Sequence, residues 1–275
     1  MKLVTKKSSV SDFYNYTKGL KKKFVTNYFI SDNRLLKWIE KESLYEISIG
    51  EVVFLINQVG EFNNLYFFAS SLNSLESSLT SLIPLINKKT VIIDIVSKDL
   101  TSEIITIFKN NGFTNYTSLM RMSRVNQITN VDYDSFDGIR NAEVEDLISI
   151  DILLKKHFDP KAEQLPEKED LLNWIGNKNI IVFQKEEIII GFVIFDLKVT
   201  TLYLRYWFVH PDYRNLKIGS KLFQELLFRG KDTIRQLFWV IQSNENAIKR
   251  YKHYGFKEES MYNFVMINKN KVYEN

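Results

Sequence analysis

The chain has no cysteine, which excludes disulfides, thiolate catalysis and cysteine-type zinc sites. Its three histidines, His157, His210 and His253, are far apart and lack a metal-ligand spacing. Each therefore reads as a surface or packing residue, and no metal is expected. No apolar run approaches the ~20 residues of a membrane span. The first residues, MKLVTKKSSVSDFYNY, contain no apolar segment of the kind a secretory signal needs. A charge excess is also missing: 37 basic residues face 33 acidic ones, a formal net charge of +4. The densest basic run, Lys21-Lys22-Lys23, reads as a solvated helix end, and no motif beside it supports nucleic-acid binding. These absences point to a cytoplasmic protein with neither a membrane nor a nucleic acid as partner.

What is present is the material of a folded protein. Hydrophobic residues make up 45% and charged residues 25% of 275 residues, enough for a core and for solubility, in one large or two modest domains. Periodicity gives two passes through a similar order of elements. In the first, Ser11–Lys22 and Asn33–Lys41 read as helices, and Leu44–Ser48, Glu51–Asn57 and Leu65–Ala69 as strands. A helix (Leu75–Ile86), a strand (Thr90–Val96), a helix (Leu100–Asn110) stopped by Gly112, and a strand (Leu119–Val125) follow. Asn126 to Asn130 is polar and suits a linker. The second pass reads strand Phe136–Arg140, helices Val144–Lys155 and Leu171–Asn177, and strands Ile180–Lys185, Ile188–Leu197 and Leu202–Val209. It ends with helix Ile218–Gly230, strand Gln236–Ile241, helix Ala247–Tyr254 stopped by Gly255, and strand Met261–Ile267. Both passes imply an α/β fold with a mixed sheet. Phe108-Lys109-Asn110-Asn111-Gly112-Phe113 echoes Tyr251-Lys252-His253-Tyr254-Gly255-Phe256, which favours internal duplication. The expected domains are 1–130 and 131–275.

Two stretches carry chemistry. In LRYWFVHPDYRNLKIGSKL (204–222) a bulky strand ends at Val209, and Pro211 forbids a ladder bond at its own position. A polar loop, Asp212 to Lys217, leads into a helix starting near Ile218. Such a junction turns backbone N–H groups outward at a helix N-terminus, which suits a pyrophosphate. Gly219 allows close approach, and Arg214 and Lys217 add positive charge. The plainer reading is an ordinary crossover loop. In the second stretch, 242–256, Ser243 or Asn244 caps a helix. Ala247 and Tyr251, four apart, share a face. A small residue beside a tyrosine leaves room for a ligand chain with a hydroxyl next to it; the plainer reading is a half-buried tyrosine.

Together these stretches resemble the GCN5-related N-acetyltransferase (GNAT) family over about residues 131–270. Its pyrophosphate motif, Arg/Gln-x-x-Gly-x-Gly/Ala, reads here Arg214-Asn215-Leu216-Lys217-Ile218-Gly219, after Val209-His210-Pro211. Its later motif, Asn-x-x-Ala-x-x-x-Tyr-x-x-x-Gly-Phe, matches at Asn244, Ala247, Tyr251, Gly255 and Phe256. Membership also implies a bulge near Gly191. The resemblance implies two tandem GNAT-like domains and acetyl-CoA as cosubstrate. Its role is to pass an acetyl group by direct attack to an amine of a small molecule, amino acid or peptide. Backbone N–H groups at Trp207, Phe208 and Val209 would hold the pantetheine arm and polarise the carbonyl, an effect of ~3 kcal/mol in a transition state. Arg214, Asn215, Leu216, Lys217, Ile218, Gly219 and Ser220 would bind the pyrophosphate, and Asn244 and Ala247 would contact the cofactor. Tyr251 would protonate the departing thiolate as general acid.

The chain departs from the family pattern in three places. Lys217 stands where the family has a glycine, and its Cβ disfavours a positive φ. The strand Leu202 to Phe208 has no acid to serve as general base; Arg205 lies mid-strand, so Asp196, Glu259 or a water would have to act. Arg205 reads as an exposed sheet residue, or as a contact for an acceptor carboxylate. In the first pass, Ser70 to Ser74 offers no phosphate cradle, and Phe108 replaces Tyr251 and has no proton to donate. Residues 1–130 are thus expected to be a degenerate, non-catalytic copy. The competing reading of the whole is a non-catalytic acyl-CoA-binding or sensing protein.

Overall fold

The structure, a computed structural model, describes residues 1–20, 24–86, 88–98, 102–125 and 136–268. The lysine run at 21–23, the linker at 126–130 and the expected helix start at Leu100 lie outside them. The elements in order are β1 (Lys2–Leu3), α1 (Lys7–Leu20), β2 (Val25–Thr26), α2 (Asp32–Glu40), β3 (Leu44–Ile49), β4 (Val52–Val59), β5 (Phe62–Ala69), α3 (Leu72–Ile86), β6 (Thr90–Ser97), α4 (Glu103–Asn110) and β7 (Thr114–Val125). Then come β8 (Ile139–Asn141), α5 (Leu147–His157), α6 (Lys168–Gly176), β9 (Ile180–Lys185), β10 (Ile188–Lys198), β11 (Thr201–Val209), α7 (Ile218–Arg229), β12 (Arg235–Ile241), α8 (Glu245–His253) and β13 (Lys257–Asn268).

The chain divides into two compact units, Met1–Leu119 with Ser260–Asn275, and Met120–Glu259. This differs from a boundary at 130. The reason is the terminal strand: Tyr262 to Asn268 of β13 pairs antiparallel with Ser97 to Val91 of β6, so the chain end joins the first unit. In the second unit the neighbour of β12 is β7. Periodicity shows a strand at each place but not which sheet it joins, because any β-rich segment with a matching apolar face satisfies either edge.

The first unit has the sheet order β1-β3-β4-β5-β6-β13. Its core lies on both faces of the sheet. One face packs Phe54, Phe67, Leu75, Leu79, Phe108 and Phe113; the other packs Val10, Leu35, Trp38, Leu55 and Phe68. The second unit has the order β7-β12-β11-β10-β9-β8, and one of its faces packs Ile150, Leu154, Leu171, Ile194, Tyr206 and Phe208. In each unit three antiparallel pairings precede one parallel pairing, β5 with β6 and β11 with β12. The helix ends repeat as well. Gly112 and Gly255 have φ of 83° and 82°, left-handed values that glycine adopts without strain. Phe113 N–H donates to Phe108 O and Phe256 N–H to Tyr251 O at 3.1 and 3.2 Å. The sequence echo is therefore an echo of geometry.

Some expectations shift. The strand expected at Phe136–Arg140 begins only at Ile139, because Gly138 turns the chain at φ 84°. The helix expected from Val144 opens with a 3-10 turn, Val144–Asp146, closed by a capping box between Glu143 and Asp146. The loop Asp212–Lys217 is a 3-10 helix over Pro211–Leu216. A bulge does occur next to Gly191: the β9–β10 register shifts between Ile189 and Gly191.

Candidate active site

A parallel pair normally keeps its ladder along its length. Here β11 has nine residues and β12 seven, yet the register joins only Thr201, Leu202 and Tyr203 to Arg235, Gln236 and Leu237. Beyond these pairs the two strands diverge and open a cleft in the sheet. A second irregularity helps to aim the open edge. Ile194 faces Tyr206 but Phe195 faces Leu204, so Arg205 is an extra residue in a bulge. A bulge bends a strand and resets its alternation. Leu202 accordingly lies against Gly230 at the end of α7, whereas Tyr206, of the same parity, packs with α5 and α6.

The bulge also decides which amides face the cleft. His210 N–H donates to Ile190 O at 2.8 Å. Antiparallel bonding alternates along the ladder, so Phe208 and Tyr206 direct their N–H groups toward β10. Trp207 and Val209 direct theirs toward the open side. Of the three strand amides expected there, Phe208 is thus turned away, and its side chain is core.

At the far end of β11 the chain enters α7. Lys217 adopts φ 57°, ψ 15°, the left-handed conformation, and its side chain makes no cap bond. The lysine therefore takes the backbone form that a glycine would take, at a cost on the order of 1 kcal/mol. The first N–H groups of α7, from Ile218, Gly219 and Ser220, have no intrahelical acceptor. Arg214, Asn215, Leu216 and Lys217 are exposed around them. The Ile218 side chain is buried, so only its backbone can meet a ligand. Gly219 is buried too; a Cβ there would meet Trp207 Cζ2 at 3.3 Å and Val209 Cγ2 at 3.5 Å. Its lack of a side chain serves the approach of α7 to β11.

Across the cleft, Asn244 accepts a hydrogen bond from Ala247 N–H at 3.2 Å and caps α8. Ala247 is half-buried, and Tyr251 lies one turn on, 8% exposed. The Tyr251 ring packs on Phe238 (centroids 4.0 Å) and Trp207 (5.5 Å). Its hydroxyl makes no hydrogen bond to another described residue. Burial, chiefly, pushes this phenol well above its ordinary range; nearby Arg250 pulls it down, and the Glu163 charge pushes it further up. Trp207 stacks on Phe223 at 4.7 Å, and its indole N–H is buried without a hydrogen-bond partner among the described residues. This combination of splayed edge, uncapped helix start and orphan donors fits a long polar ligand ending in a phosphate group.

The sequence of residues 148–256 matches the model of the acetyltransferase (GNAT) family. That segment belongs to the GNAT family. The fold has solved relatives of similar length. A GNAT-family acetyltransferase from Colwellia psychrerythraea superposes with a TM-score of 0.56 at 12% identity, covering 97% of this chain and 98% of its own. A GCN5-related N-acetyltransferase from Sphaerobacter thermophilus gives 0.56 at 12% identity, covering 87% and 85%. A tandem GNAT protein from the clavulanic acid biosynthesis pathway gives 0.53 at 8% identity, covering 78% of each chain. No curated protein matches the sequence. The architecture is therefore a tandem pair of GNAT-like α/β domains, of which the second carries the family signature. Among the described residues no helix is long and apolar enough to cross a membrane, and no group of three or more His, Asp or Glu residues is placed to hold a metal.

The bases considered for the GNAT domain are committed elsewhere. Asp196 accepts from Arg205 at 2.6 Å and from the Trp174 indole at 2.7 Å. Arg205 is thereby tied down and also lies 4.1 Å over the Tyr203 ring. Glu259 accepts from Ser123 at 2.5 Å and from Arg121 and Arg235. Its burial alone would raise it, but these donors hold it below the usual carboxylate range. Sequence reasoning missed Glu163, in the α5–α6 loop, which no motif marks.

The first unit has the same opening and fills it. Its β5–β6 register also stops after three pairs, Phe62, Asn63 and Asn64 against Thr90, Val91 and Ile92. Here β2 pairs with the end of β5, and the buried Asn27 side chain bridges the gap. Its amide nitrogen donates to Leu65 O at 3.0 Å and to Asp94 O at 3.2 Å, and its oxygen accepts from Phe67 N–H at 2.9 Å. Thr26 adds a bond from its hydroxyl to Phe67 O at 2.6 Å.

Proposed function

We propose that the chain is an N-acetyltransferase that moves an acetyl group from acetyl-CoA to the amine of a small molecule, amino acid or peptide. The observation that carries this reading is the cleft opened where β11 and β12 part, with Tyr251 buried at its rim and the uncapped start of α7 at its end. The Trp207 and Val209 amides would take the pantetheine arm as an added strand. The Ile218, Gly219 and Ser220 amides, with Arg214 and Lys217, would hold the pyrophosphate. A donor aimed at the carbonyl oxygen contributes ~3 kcal/mol where negative charge develops. Tyr251, kept protonated by its burial, would give its proton to the leaving thiolate. Asn244 caps α8, and Ala247 leaves space beside it.

The first unit is proposed to bind no coenzyme A. Its cleft is occupied by β2 and Asn27, Phe108 has no proton to give, and Ser70 to Ser74 provide no cation for a phosphate. Its part is then structural support.

The test is thiol release from acetyl-CoA over a panel of amines, with the unaltered chain and Tyr251→Phe. Release with at least one amine, falling at least tenfold in the variant, is expected. Tight acetyl-CoA binding with no release for any amine would replace the enzymatic reading by a sensing one, which Lys217 and the acid-free β11 would then explain. Calorimetric titration should give one coenzyme A per chain; a stoichiometry of two would overturn the assignment of the first unit.

A further inference from the structure

Resting on the acetyltransferase reading above, we propose that Glu163 is the acceptor-side general base of the second unit. An amine acceptor arrives as an ammonium ion near neutral pH and must lose a proton before it can attack. β11 has no acid for this, and Asp196 and Glu259 are held by cations. Among the described residues, the other buried carboxylates of the unit are also paired: Asp146 with Arg140 at 2.6 Å, Asp151 with Lys155 at 2.7 Å, and Glu225 with Arg229 at 2.6 Å. Glu163 is half-buried and makes no ion pair among the described residues.

The loop that carries Glu163 is built to hold it still. Glu163 N–H donates to Asp159 O at 2.9 Å, and Asp159 N–H donates back to Glu163 Oε2 at 3.0 Å. The Tyr206 hydroxyl, from the strand that lines the cleft, is shared between Glu163 O at 3.0 Å and Gln164 O at 3.1 Å. Gln164 turns with φ 43°, a left-handed value at the residue after the carboxylate, and strain of this kind concentrates at functional sites. Among the described residues, Asp159 on its own loop acts on Glu163, Tyr206 from β11 bonds its backbone, and the Glu163 charge in turn acts on Tyr251 of α8, as does Arg250. Glu163 thus sits on the α5–α6 side of β11 through its contact with Tyr206, and its charge also acts on the Tyr251 phenol of α8. Burial, first, raises the Glu163 carboxyl above the usual range; the Asp159 N–H opposes this and the Asp159 charge adds to it. A base raised toward neutrality is better matched to an ammonium proton.

The protons balance. The ammonium gives one to Glu163, which passes it to solvent. The neutral nitrogen then forms a bond to the carbonyl carbon, and the carbon–sulfur bond breaks. The thiolate takes the Tyr251 proton, and the tyrosinate regains one from the amide nitrogen.

The experiment uses the full chain, acetyl-CoA, and the amine that gives fastest thiol release. In Glu163→Gln, which keeps an oxygen for the Asp159 N–H, kcat/KM should fall about 100-fold. The acid limb of its pH profile due to Glu163 should vanish, while acetyl-CoA affinity and the melting curve stay as in the unaltered chain. Glu163→Asp should retain an acid limb at a reduced rate. If Glu163→Gln changes only KM, or keeps the acid limb and kcat, Glu163 is not the base, and the acetyltransferase reading stands. If the unaltered chain binds acetyl-CoA and releases no thiol with any amine, both fall together.

Discussion

Replacing Asn27 by alanine should destabilise the first unit by about 3 kcal/mol. The side chain is 8% exposed and makes three hydrogen bonds to main-chain groups of β5 and β6. Each such bond contributes about 1 kcal/mol net, and a buried group left without a partner loses on the order of 1–3 kcal/mol. Alanine leaves Phe67 N–H, Leu65 O and Asp94 O without Asn27, so three bonds of about 1 kcal/mol set the middle value. Water entering the vacated space would lower it. Asn27→Asp should be worse, because a carboxylate oxygen would then face the two carbonyl oxygens that the amide nitrogen now serves. The assay is hydrogen exchange of the full chain read at the Phe67 amide, together with urea unfolding. A loss below about 1 kcal/mol, with Phe67 protection unchanged, would refute the claim that Asn27 closes the cleft.

Three further outcomes are expected. Tyr251→Phe should lower kcat about 100-fold with little change in acetyl-CoA affinity; because burial keeps the phenol protonated, its loss should cause no alkaline decline below about pH 10. Lys217→Gly should relieve the left-handed backbone and raise stability by about 1 kcal/mol in thermal melts. The same change should weaken coenzyme A binding and make it less salt-sensitive by calorimetry; unchanged affinity would remove Lys217 from the phosphate site. Gly230→Ala should cost about 1–3 kcal/mol in denaturant unfolding, since its Cβ would lie 2.5 Å from Leu202 Cδ1.

Much of the fold was legible because its causes are local. Continuous apolar runs mark β9 and β10, apolar alternation marks β11, 3.6-residue periodicity marks α7, and Gly112 and Gly255 end α4 and α8 where a left-handed residue is required. The motif around Arg214 to Gly219 fixes a strand-to-helix turn, and Asn244, Ala247 and Tyr251 fix a capped helix face, since these depend on neighbours within a few residues. The sequence also shows Phe108 in place of Tyr251, which limits the first copy whatever its packing.

Other features exist only after distant segments meet. Nothing near β13 says that it pairs with β6, because strand partners are selected by faces and edges far apart in the chain. The bulge at Arg205 arises from the register of β10 against β11, and it alone decides that Trp207 and Val209, not Phe208, open their amides to the cleft. Asn27 lies 38 residues from Leu65 and 67 from Asp94, so its bridging role is invisible to periodicity. Glu163 reads as one more loop acid until the loop folds onto Tyr206. Local sequence determined which chemical groups the chain owns; long-range packing decided which of them are buried, paired, or left free to act.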